Sequence, residues 1–563
     1  MSVAEAEIDT GGKLQHELAG TVREYHERSK HRFSGYAKGP AALDWESQPN
    51  PFRIYDGADT INLPLDECPD ETKYADVIRE NVAAQNFTLH ALSKMLRLAF
   101  GITAWKELPD GTRWALRANP SSGNLHPTEA WVLIFGAAEL KSGLYHYDSY
   151  QHALQLRCEW PAQPNAELQL YVALSTIYWR EAWKYGERAF RYCHLDVGHA
   201  VSALGFACAA LGWRAQFKNI SSDDLDVLLG LTRDEHASVE EETASCLLQI
   251  QINQTSTSAQ THILMPRDHA RIWQGIPNRL DLKPLYKWPA IMEIAAATRV
   301  LSVDHDVAEL FLEHALAQNE VAERNSTDIT QSWLTAENVV VLRRSAQAYD
   351  ANYLMPSEHF IEMLSAFLET QWQTLLHAHP HVHLIFAVHR VQDIVPGIYV
   401  LARSAGGEAL MRAQLTRWNE WVETDIAIGS HKLFRIKTTN AQRASATLCC
   451  QQAIASDCNF ITGFLAEFDG VVENSSNYLA LFQESGSLAH AAYLRATALG
   501  LAGTGIGCFF DDEWHELLGI KNTTLQFVYH FATGKPLLDR RLIQRTRYFH
   551  LQHQTDRFAR RFT

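Results

Sequence analysis

The feature that most constrains the fold of this chain is an internal repeat, because two similar halves must build the same layout twice. The segment LDVGHAVSALGFACAALGW (195–213) resembles QESGSLAHAAYLRATALGL (483–501). Each contains a pair of glycines fourteen residues apart, Gly198 with Gly212 and Gly486 with Gly500. The two segments therefore share a register, which indicates a duplicated helix.

Other segments recur in the same order in the two halves. They comprise a short helix after the duplicated one, two strand-like runs before it, and an amphipathic helix further upstream with apolar residues at i, i+3/i+4 and i+7. The pairs are SSDDLDVLLGL (221–231) with FDDEWHELLGI (510–520), SGLYHYD (142–148) with PGIYVLA (396–402), AWVLIF (130–135) with HLIFAV (383–388), and TLHALSKMLRLAFG (88–101) with PSEHFIEMLSAFL (356–368). Two unrelated domains with chance similarity are the alternative, but the shared order favours duplication.

The boundary between the halves begins at the polar stretch QTSTSAQ (254–260), which opens a proline-containing segment before the helical pattern PAIMEIAAAT (289–298). Helices and a few strands joined by irregular loops predict an α+β fold. We expect two tandem domains, each a mixed sheet flanked by helices, packed together as a pseudodimer within one chain. The predicted bounds are an N-terminal extension at 1–84 that packs on the first domain, a first domain at 85–253, a linker at 254–299 and a second domain at 300–563.

Composition excludes several classes of function. The chain has 50 Lys+Arg against 65 Asp+Glu and a net charge of -15, without a basic stripe for nucleic acid or a membrane surface. Because no apolar run approaches the roughly 18 residues that span a bilayer and no signal peptide is recognisable, we expect a cytoplasmic protein. The nine cysteines include no CxxC pair, and Cys449 and Cys450 are adjacent, so reduced thiols are expected.

The segment ALRANPSSGNLHPTEAWVLI (115–134) places small polar residues directly before a strand. Pro120, Ser121, Ser122, Gly123 and Asn124 can offer backbone N–H groups, hydroxyls and a carboxamide to a flat heteroaromatic ligand. An ordinary capped turn has the same composition, so these residues alone do not decide between the two.

Two motifs of the first half resemble a known family. PSSGNLHP (120–127) resembles the flavin-contacting loop of the nitroreductase superfamily, and WKYGERAFRYCHLDVGHA (183–200) is similar to the signature of its SagB/ThcOx-type branch, the azoline dehydrogenases. YHERSKHRF (25–33) and LDWESQPNPFRIYDG (43–57) extend the likeness over most of residues 20–250. The second half is more divergent, with RRSAQAYD (343–350) similar to the phosphate-binding start and ALGLAGTGIGCFFDD (498–512) similar to the glycine-rich segment at the flavin ring.

The resemblance implies an FMN site at the interface of two domains, with parts from each. In this chain one complementary set is intact: Pro120, Ser121, Ser122 and Asn124 from the first half, with Arg343, Ser345, Gln347, Gly503, Thr504, Gly505 and, by family analogy, Arg540 or Arg541 from the second. The other set is degraded to RENVAAQNF (79–87), ALGWRAQF (210–217) and HAHPHVHLIF (377–386). Without the resemblance, Arg343 and the arginine that follows it would be interpreted as a solvated pair on the surface. GTGIG is not a dinucleotide fingerprint, since it follows a helix rather than a strand.

Lys184 and Tyr185 are the predicted catalytic residues, because the equivalent Lys-Tyr pair of azoline dehydrogenases removes a proton while hydride leaves for the flavin. A lysine acts as a base at neutral pH only when burial or a neighbouring cation depresses its pKa, and Arg188 and Arg191 are close in sequence. The alternative for an isolated Lys-Tyr pair is a surface lysine beside a packed tyrosine. Asp196 and His199 are expected to hold the helix by hydrogen bonds.

The alternating histidines His377, His379, His381 and His383 would share one face of a strand, a spacing that can bind metal. No cysteine or acidic partner is near in sequence and Pro380 interrupts the run, so we predict no metal. A strand entrance, or a filler of the degraded flavin pocket, explains the histidines instead.

These features together predict an FMN-dependent oxidoreductase, a SagB-type dehydrogenase that transfers hydride from a heterocyclic or peptide-derived substrate to flavin N5. One alternative is an NAD(P)H-dependent reductase of nitro compounds, quinones or activated alkenes, with NAD(P)H as reductant. Another is a non-catalytic flavin-binding scaffold in a peptide-modifying complex. The expected partner is a small molecule or peptide, and the protein is expected to be a monomer, as a pseudodimer, or a homodimer.

Overall fold

A computed structural model describes residues 3–65, 71–161, 167–237, 239–252, 272–301, 334–368, 380–418 and 420–552. The first half contains β1 (Tyr55–Asp56), β2 (Thr60–Asn62), β3 (Ile102–Glu107), β4 (Arg113–Arg117), β5 (Thr128–Phe135), β6 (Gly143–Asp148), β7 (Ala153–Glu159), β8 (Gln169–Ile177), β9 (Arg214–Lys218), β10 (Glu242–Gln251) and β11 (Ile276–Pro277). The second contains β12 (Val382–Val388), β13 (Gly397–Leu401), β14 (Val422–Ile428), β15 (His431–Thr438), β16 (Phe460–Glu467), β17 (Ala502–Ile506), β18 (Leu525–Gly534) and β19 (Ile543–Thr546).

Fourteen of the nineteen described strands form two seven-stranded sheets that share the same chain order at six of their seven positions. The first has the order β2-β7-β6-β5-β8-β10-β9 and the second the order β14-β15-β13-β12-β16-β18-β17. The outermost strand differs, since β2 precedes the rest of its sheet in the chain whereas β14 lies between β13 and β15. The strand-like runs paired in the sequence, β5 with β12 and β6 with β13, occupy matching positions in the two sheets. The predicted α+β layout with two sheet-and-helix halves is therefore confirmed.

Strand pairing within both sheets is antiparallel, since neighbours such as β5, β6 and β7 follow one another as hairpins. A parallel bridge between Ser345 and Gly503 extends the edge of the second sheet beyond β17. The mixed pairing that we expected inside each sheet is thus wrong for the described strands, and parallel pairing enters at this edge.

Helices flank both sheets. They are Val3–Arg28, Tyr74–Ile78, Leu89–Phe100, Tyr178–Tyr185, Ala189–Ala209, Ser222–Leu229, Pro289–Ala297, Ala336–Leu342, Ser357–Ala366, Ala405–Gln414, Gln442–Leu448, Ile454–Asp457, Asn477–Ala498, Asp511–Leu518 and Phe549–Gln552, with short 3-10 helices at Trp45–Ser47, Ser122–Asn124, Gly186–Arg188 and Val471–Glu473. The paired helices Ser222–Leu229 and Asp511–Leu518 both end at a left-handed glycine, Gly230 and Gly519. This shared end supports the repeat.

The two halves meet along their long central helices, Ala189–Ala209 and Asn477–Ala498. A Cβ on Gly198 would lie 2.1 Å from the carbonyl oxygen of Gln483, and one on Gly486 would lie 2.1 Å from that of Leu195. Both contacts link a glycine to the residue three positions before the matching glycine. The repeated glycines thus create a pseudo-twofold contact between two backbones, which only glycine permits.

Gly486→Ala is expected to destabilise the protein by about 1–3 kcal/mol, because the new methyl group forces the central helices apart. Thermal unfolding of purified protein, followed by circular dichroism, measures the change. Gly20→Ala is the matched control: Gly20 is also helical, and a Cβ there meets nothing within 4 Å. It should leave the melting temperature unchanged or raise it. A Gly486→Ala protein as stable as Gly20→Ala would contradict the close helix contact.

Each half also packs into the core of the other. Val339 and Val340, from the start of the second half, belong to the first-half core, and β19 pairs with β3. The N-terminal helix contacts both halves: Tyr25 donates to the Glu187 carbonyl at 2.5 Å, and His26 Nε2 lies 3.1 Å from Gln526 Oε1. The N-terminal extension, expected on the first domain, therefore bridges the two halves.

Candidate functional site

The turn formed by Pro120–Asn124 precedes the central strand β5 and is held by the first central helix. The Ser122 N–H donates to both carboxylate oxygens of Asp196 at 3.1 Å, and its hydroxyl donates to Oδ1 at 3.2 Å. Gly123 has a φ of +59°, which favours glycine, and lies exposed at the tip. Asp196, which we expected to hold its helix, makes these three hydrogen bonds to the turn instead.

The other polar groups of the turn bond to residues on either side of it. Asn124 Nδ2 donates to the Ala115 carbonyl of β4 at 2.8 Å, and its Oδ1 lies 3.1 Å from His126 Nε2. The hydroxyl of Ser121 accepts from the His126 N–H at 2.8 Å. Pro120 is buried. The carboxamide of Asn124 therefore already bonds to Ala115 and His126 in this structure, and its role towards a ligand stays a prediction.

Lys184 and Tyr185 lie at the end of the helix Tyr178–Tyr185, which stops at Gly186 with a φ of +57°. A Cβ built on Gly123 would lie 2.6 Å from the Tyr185 hydroxyl and 3.2 Å from Lys184 Nζ. Lys184 and Tyr185 therefore lie beside the turn, although they are 61 and 62 residues from Gly123 in the sequence.

Burial controls the ionisation of the groups around this pair. Desolvation raises the pKa of Tyr185 well above its usual value, and the charge of Glu181 adds to the effect. Glu181 itself is fully buried, and neither of its carboxylate oxygens has a hydrogen-bond partner. Burial and then Asp196 raise its pKa, while Lys184 opposes them. Glu181 was not found from sequence, since a glutamate in a helix gives no signal of burial.

Arg188 and Arg191 do not act as free cations beside Lys184. Arg188 Nη1 donates to Asp511 Oδ2 at 2.9 Å, and Arg191 Nη1 donates to Asp511 Oδ1 at 2.7 Å. All three side chains are 1% exposed. The two arginines thus neutralise a buried aspartate of the second half and join the halves. Sequence proximity did not indicate this partner, which lies more than 300 residues away.

Arg343 follows the helix Ala336–Leu342 and reaches into the first half. It is 5% exposed, and its Nη2 donates to the carbonyl of Arg117 at 3.0 Å, three residues before Pro120. Its buried Nε has no hydrogen-bond partner, and none of the described carboxylates pairs with it. Burial lowers its pKa, while Tyr493 opposes that shift. A buried cation with unused donor capacity is suited to an anion.

Ser345 and the glycine-rich strand β17 meet around Tyr493 of the second central helix. The Tyr493 hydroxyl lies 2.9 Å from Ser345 Oγ and accepts from the Gly505 N–H at 2.9 Å. Thr504 donates its hydroxyl to the Ala346 carbonyl at 2.7 Å. The Gly505 N–H, expected to face the flavin, is therefore bound to Tyr493. The sequence could not indicate this, since the hydroxyl comes from a separate helix.

Aromatic rings explain the glycines of this strand. A Cβ on Gly503 would lie 2.0 Å from the Phe531 ring, one on Gly505 would lie 1.7 Å from the Tyr529 hydroxyl, and one on Gly507 would lie 2.2 Å from the Tyr192 ring. Tyr192 belongs to the first half and packs edge-on against Tyr185, with ring centroids 4.7 Å apart. The residues after β17 therefore contact Tyr192, which in turn contacts Tyr185.

His199 completes the connection between the halves. Its ring lies 6.2 Å from that of Tyr493 and 6.0 Å from that of Tyr529, and its Nδ1 is 3.6 Å from Asp196. The turn, the Lys-Tyr pair, Arg343 and β17 thus form one connected set of residues. Sequence reasoning missed Tyr493 and Tyr192, because an aromatic residue on a buried helix reads as core.

Two predicted site residues stand apart from these contacts. Gln347 is exposed. Arg541 is 82% exposed, and its guanidinium pairs with Asp539 two residues before it, so its contribution to phosphate binding stays a prediction. Arg540, the family alternative, lies in the same exposed turn.

The histidine run has the acidic partner that the sequence did not indicate. His381 Nδ1 lies 3.1 Å from Glu467 Oε2, and His383 Nε2 lies 3.0 Å from Glu467 Oε1. His377 and His379 lie outside the described residues. Within the described part of the chain, no cluster of three or more His, Cys, Asp or Glu side chains is arranged to hold a metal ion. Glu467 lies on the neighbouring strand β16, and the spacing of residues in the sequence does not show that β16 pairs with β12.

The donor set fits FMN in its chemistry. Arg343 offers a phosphate a buried guanidinium edge without an ion pair among the described residues. Thr504 and Gly505 of β17 are partly exposed and Gly123 of the turn is exposed, so these groups are accessible to a flat ring. The side chains that would bind the FMN phosphate belong to the second half of the chain, and those that would lie near the flavin ring belong mostly to the first half.

Comparison with known proteins concerns the family and the fold of the chain. The model of the nitroreductase family matches residues 398–535, in the half that the sequence analysis considered more divergent. A protein of Methanocaldococcus jannaschii named "Putative nitroreductase" is 25% identical over 170 residues, which cover 27% of this chain and 81% of that protein. Residues 398–535 therefore match the nitroreductase family, and this match supports an oxidoreductase activity.

A solved structure extends the similarity over both halves. A nitroreductase-like protein from Anabaena variabilis, itself described as putative, superposes with a TM-score of 0.64 at 21% identity and covers 92% of this chain and 99% of its own. The match to a chain of the E. coli microcin synthetase complex covers 45% of this chain and 97% of that chain, at 14% identity and a TM-score of 0.24. Among the described helices, none has the length and hydrophobicity needed to cross a membrane.

Proposed function

We propose that this protein is an FMN-dependent oxidoreductase and, within that class, a SagB-type dehydrogenase of a heterocyclic or peptide-derived substrate. The observation that carries the proposal is the meeting of Lys184 and Tyr185 with the Gly123 turn. That meeting belongs to a connected set of residues that includes Arg343 and Ser345 from the other half. One flavin bound there would receive contributions from both halves.

The residues divide the work by their chemistry. Bound FMN would supply the two-electron acceptor for hydride. Arg343 would hold the phosphate through its forked, permanently charged donor set, with the Ser345 hydroxyl as a second donor. The Gly123 turn would lie against the ring. Lys184 would accept the proton that the substrate loses as the hydride departs.

The environment of Tyr185 assigns it a different role from Lys184. Since burial raises the pKa of its phenol well above 10, Tyr185 keeps its proton at neutral pH. It would therefore serve as a hydrogen-bond donor that orients the substrate rather than as the base. Glu181, whose pKa is raised by burial, would keep its proton further towards neutral pH.

We expect purified protein, reconstituted with FMN and freed of excess cofactor, to bind one FMN per chain. The repeat provides a single complete set of contacts, and both halves of that set come from one chain, so no second chain is required. Flavin absorbance against protein concentration, with the molar mass from light scattering, gives the ratio. Two flavins per chain would refute the single site shared by both halves. Failure to bind FMN would refute the proposal that the protein is an FMN-dependent enzyme.

The direction of electron flow is tested by rapid mixing. A dehydrogenase is expected to show slow flavin bleaching with NADH or NADPH alone, since its reductant is the substrate. Rapid bleaching by either nicotinamide, followed by transfer to a nitro compound or quinone, would favour an NAD(P)H-dependent reductase. The readout is the loss of flavin absorbance in an oxygen-free stopped-flow instrument.

A further inference from the structure

Two cysteines outside the proposed flavin contacts face each other across neighbouring segments. The Phe510 N–H donates to the Leu448 carbonyl at 2.8 Å, so the two segments lie side by side. Cys450 and Cys508 each lie two residues from that contact, and their thiols are close enough to shift each other's pKa.

Further contacts hold the two segments together. The side-chain amide of Gln452 donates to the Cys449 carbonyl at 2.8 Å and to the Cys508 carbonyl at 3.0 Å. Cys450 has a φ of +55°, a left-handed conformation uncommon for cysteine. The surrounding hydrogen bonds thus keep Cys450 in a costly conformation opposite Cys508.

The charges around the pair distinguish the two sulfurs. His31 is placed near Cys508 by a backbone bridge to Phe510, and Arg188 donates to the Gly507 carbonyl at 3.0 and 3.2 Å. The interaction with Cys450, then His31 and the charge of Arg188, lower the pKa of Cys508, whereas burial opposes them. The interaction with Cys508 raises the pKa of Cys450. One sulfur is therefore favoured as thiolate and its neighbour as thiol.

The other described cysteines lack this environment. Cys158, Cys193, Cys208, Cys246, Cys449 and Cys458 are buried. Burial raises the pKa of the last five. Cys450 and Cys508 are partly exposed, and both are free thiols. A partly exposed, stabilised thiolate beside a second thiol is the environment of reactive cysteines.

We propose that Cys450 and Cys508 form a redox-active dithiol that is oxidised by low-molecular-weight disulfides. The Cys508 thiolate attacks one sulfur of the disulfide, forms a mixed disulfide and releases one thiolate. Cys450 then loses its proton to solvent and attacks the Cys508 sulfur, which releases the second thiolate. The protein loses two electrons and the small disulfide gains them, and two protons balance the two released thiols.

The pair lies beside the candidate site without belonging to it. Gly507, directly before Cys508, contacts the ring of Tyr192, and that ring packs against Tyr185. The dithiol chemistry requires no flavin, so its test is independent of the proposed function.

The test is titration of the reduced full-length protein with mixtures of reduced and oxidised glutathione, quenched with acid. The quenched protein is alkylated in denaturant, and mass spectrometry counts the thiols. We expect two of the nine thiols to be lost together, with a Cys450–Cys508 cross-linked peptide. Cys450→Ser should instead retain one glutathione on Cys508, and Cys508→Ser should react at neither position. Cys449→Ser, next in sequence but buried, should behave as the wild type.

An unchanged thiol count at the most oxidising mixture, or a disulfide between other cysteines, would overturn the proposal. A second measurement needs no variant: the rate of Cys508 alkylation by iodoacetamide in folded wild-type protein at neutral pH. We expect it to exceed that of a free cysteine peptide by roughly tenfold, because more of the sulfur is thiolate. A rate equal to or below that of the peptide would count against the reactive dithiol.

Discussion

Lys184→Ala is expected to slow substrate dehydrogenation by roughly 10²–10⁴-fold, the contribution typical of general acid–base catalysis. The physical reason is the position of Lys184 Nζ at the turn, 3.2 Å from a Cβ built on Gly123. The probe is a peptide that carries a thiazoline ring, and the measurement is the mass loss of two hydrogens over time. Flavin absorbance of the same samples establishes that FMN remains bound.

Two further variants separate catalysis from folding. Lys141→Ala removes a lysine whose side chain is 61% exposed and paired with Glu159, so its rate should match the wild type. Tyr185→Phe keeps the ring that packs on Tyr192 but loses the hydroxyl, so it should slow the reaction less than Lys184→Ala. If Lys184→Ala and Tyr185→Phe together leave product formation unchanged, the protein is a scaffold rather than the catalyst.

Arg343→Ala is expected to weaken FMN binding by about 1.5–3 kcal/mol, or roughly 10–150-fold in Kd, the usual worth of a hydrogen bond to a charged group. Arg343 is buried, and its Nε is not hydrogen-bonded within the protein, so its donors are available to a phosphate. Titration of FMN fluorescence quenching gives the Kd. Arg343→Lys retains the charge without the fork and should fall between the wild type and Arg343→Ala.

The control for Arg343 is an arginine of the same half that lies on the surface of a helix. Arg412 is 40% exposed and pairs with Glu408 one turn earlier, so Arg412→Ala should leave the Kd of FMN unchanged. Circular dichroism of each variant checks that the fold persists. An unchanged Kd in a folded Arg343→Ala protein would exclude Arg343 as the phosphate ligand and with it the split site.

The sequence by itself determined the repeat and most of the local elements. The equal spacing from Gly198 to Gly212 and from Gly486 to Gly500 identified the central helices, since spacing along one helix is a local property. The turn before β5 and the strands β5 and β12 were likewise visible, because turn residues and runs of β-branched residues act over a few positions.

Only the tertiary structure decided which groups meet. Asp511 binds Arg188 across 323 positions, and Arg343 reaches Arg117 across 226 positions. Glu467 and Tyr493 likewise reach residues on other elements, which left them unidentified as partners of His383 and Gly505. Such pairs depend on how sheets and helices pack, whereas periodicity and turn chemistry reflect only neighbours in the chain. The sequence therefore determined which elements form, and packing decided that Lys184, Tyr185 and Gly123 share one site.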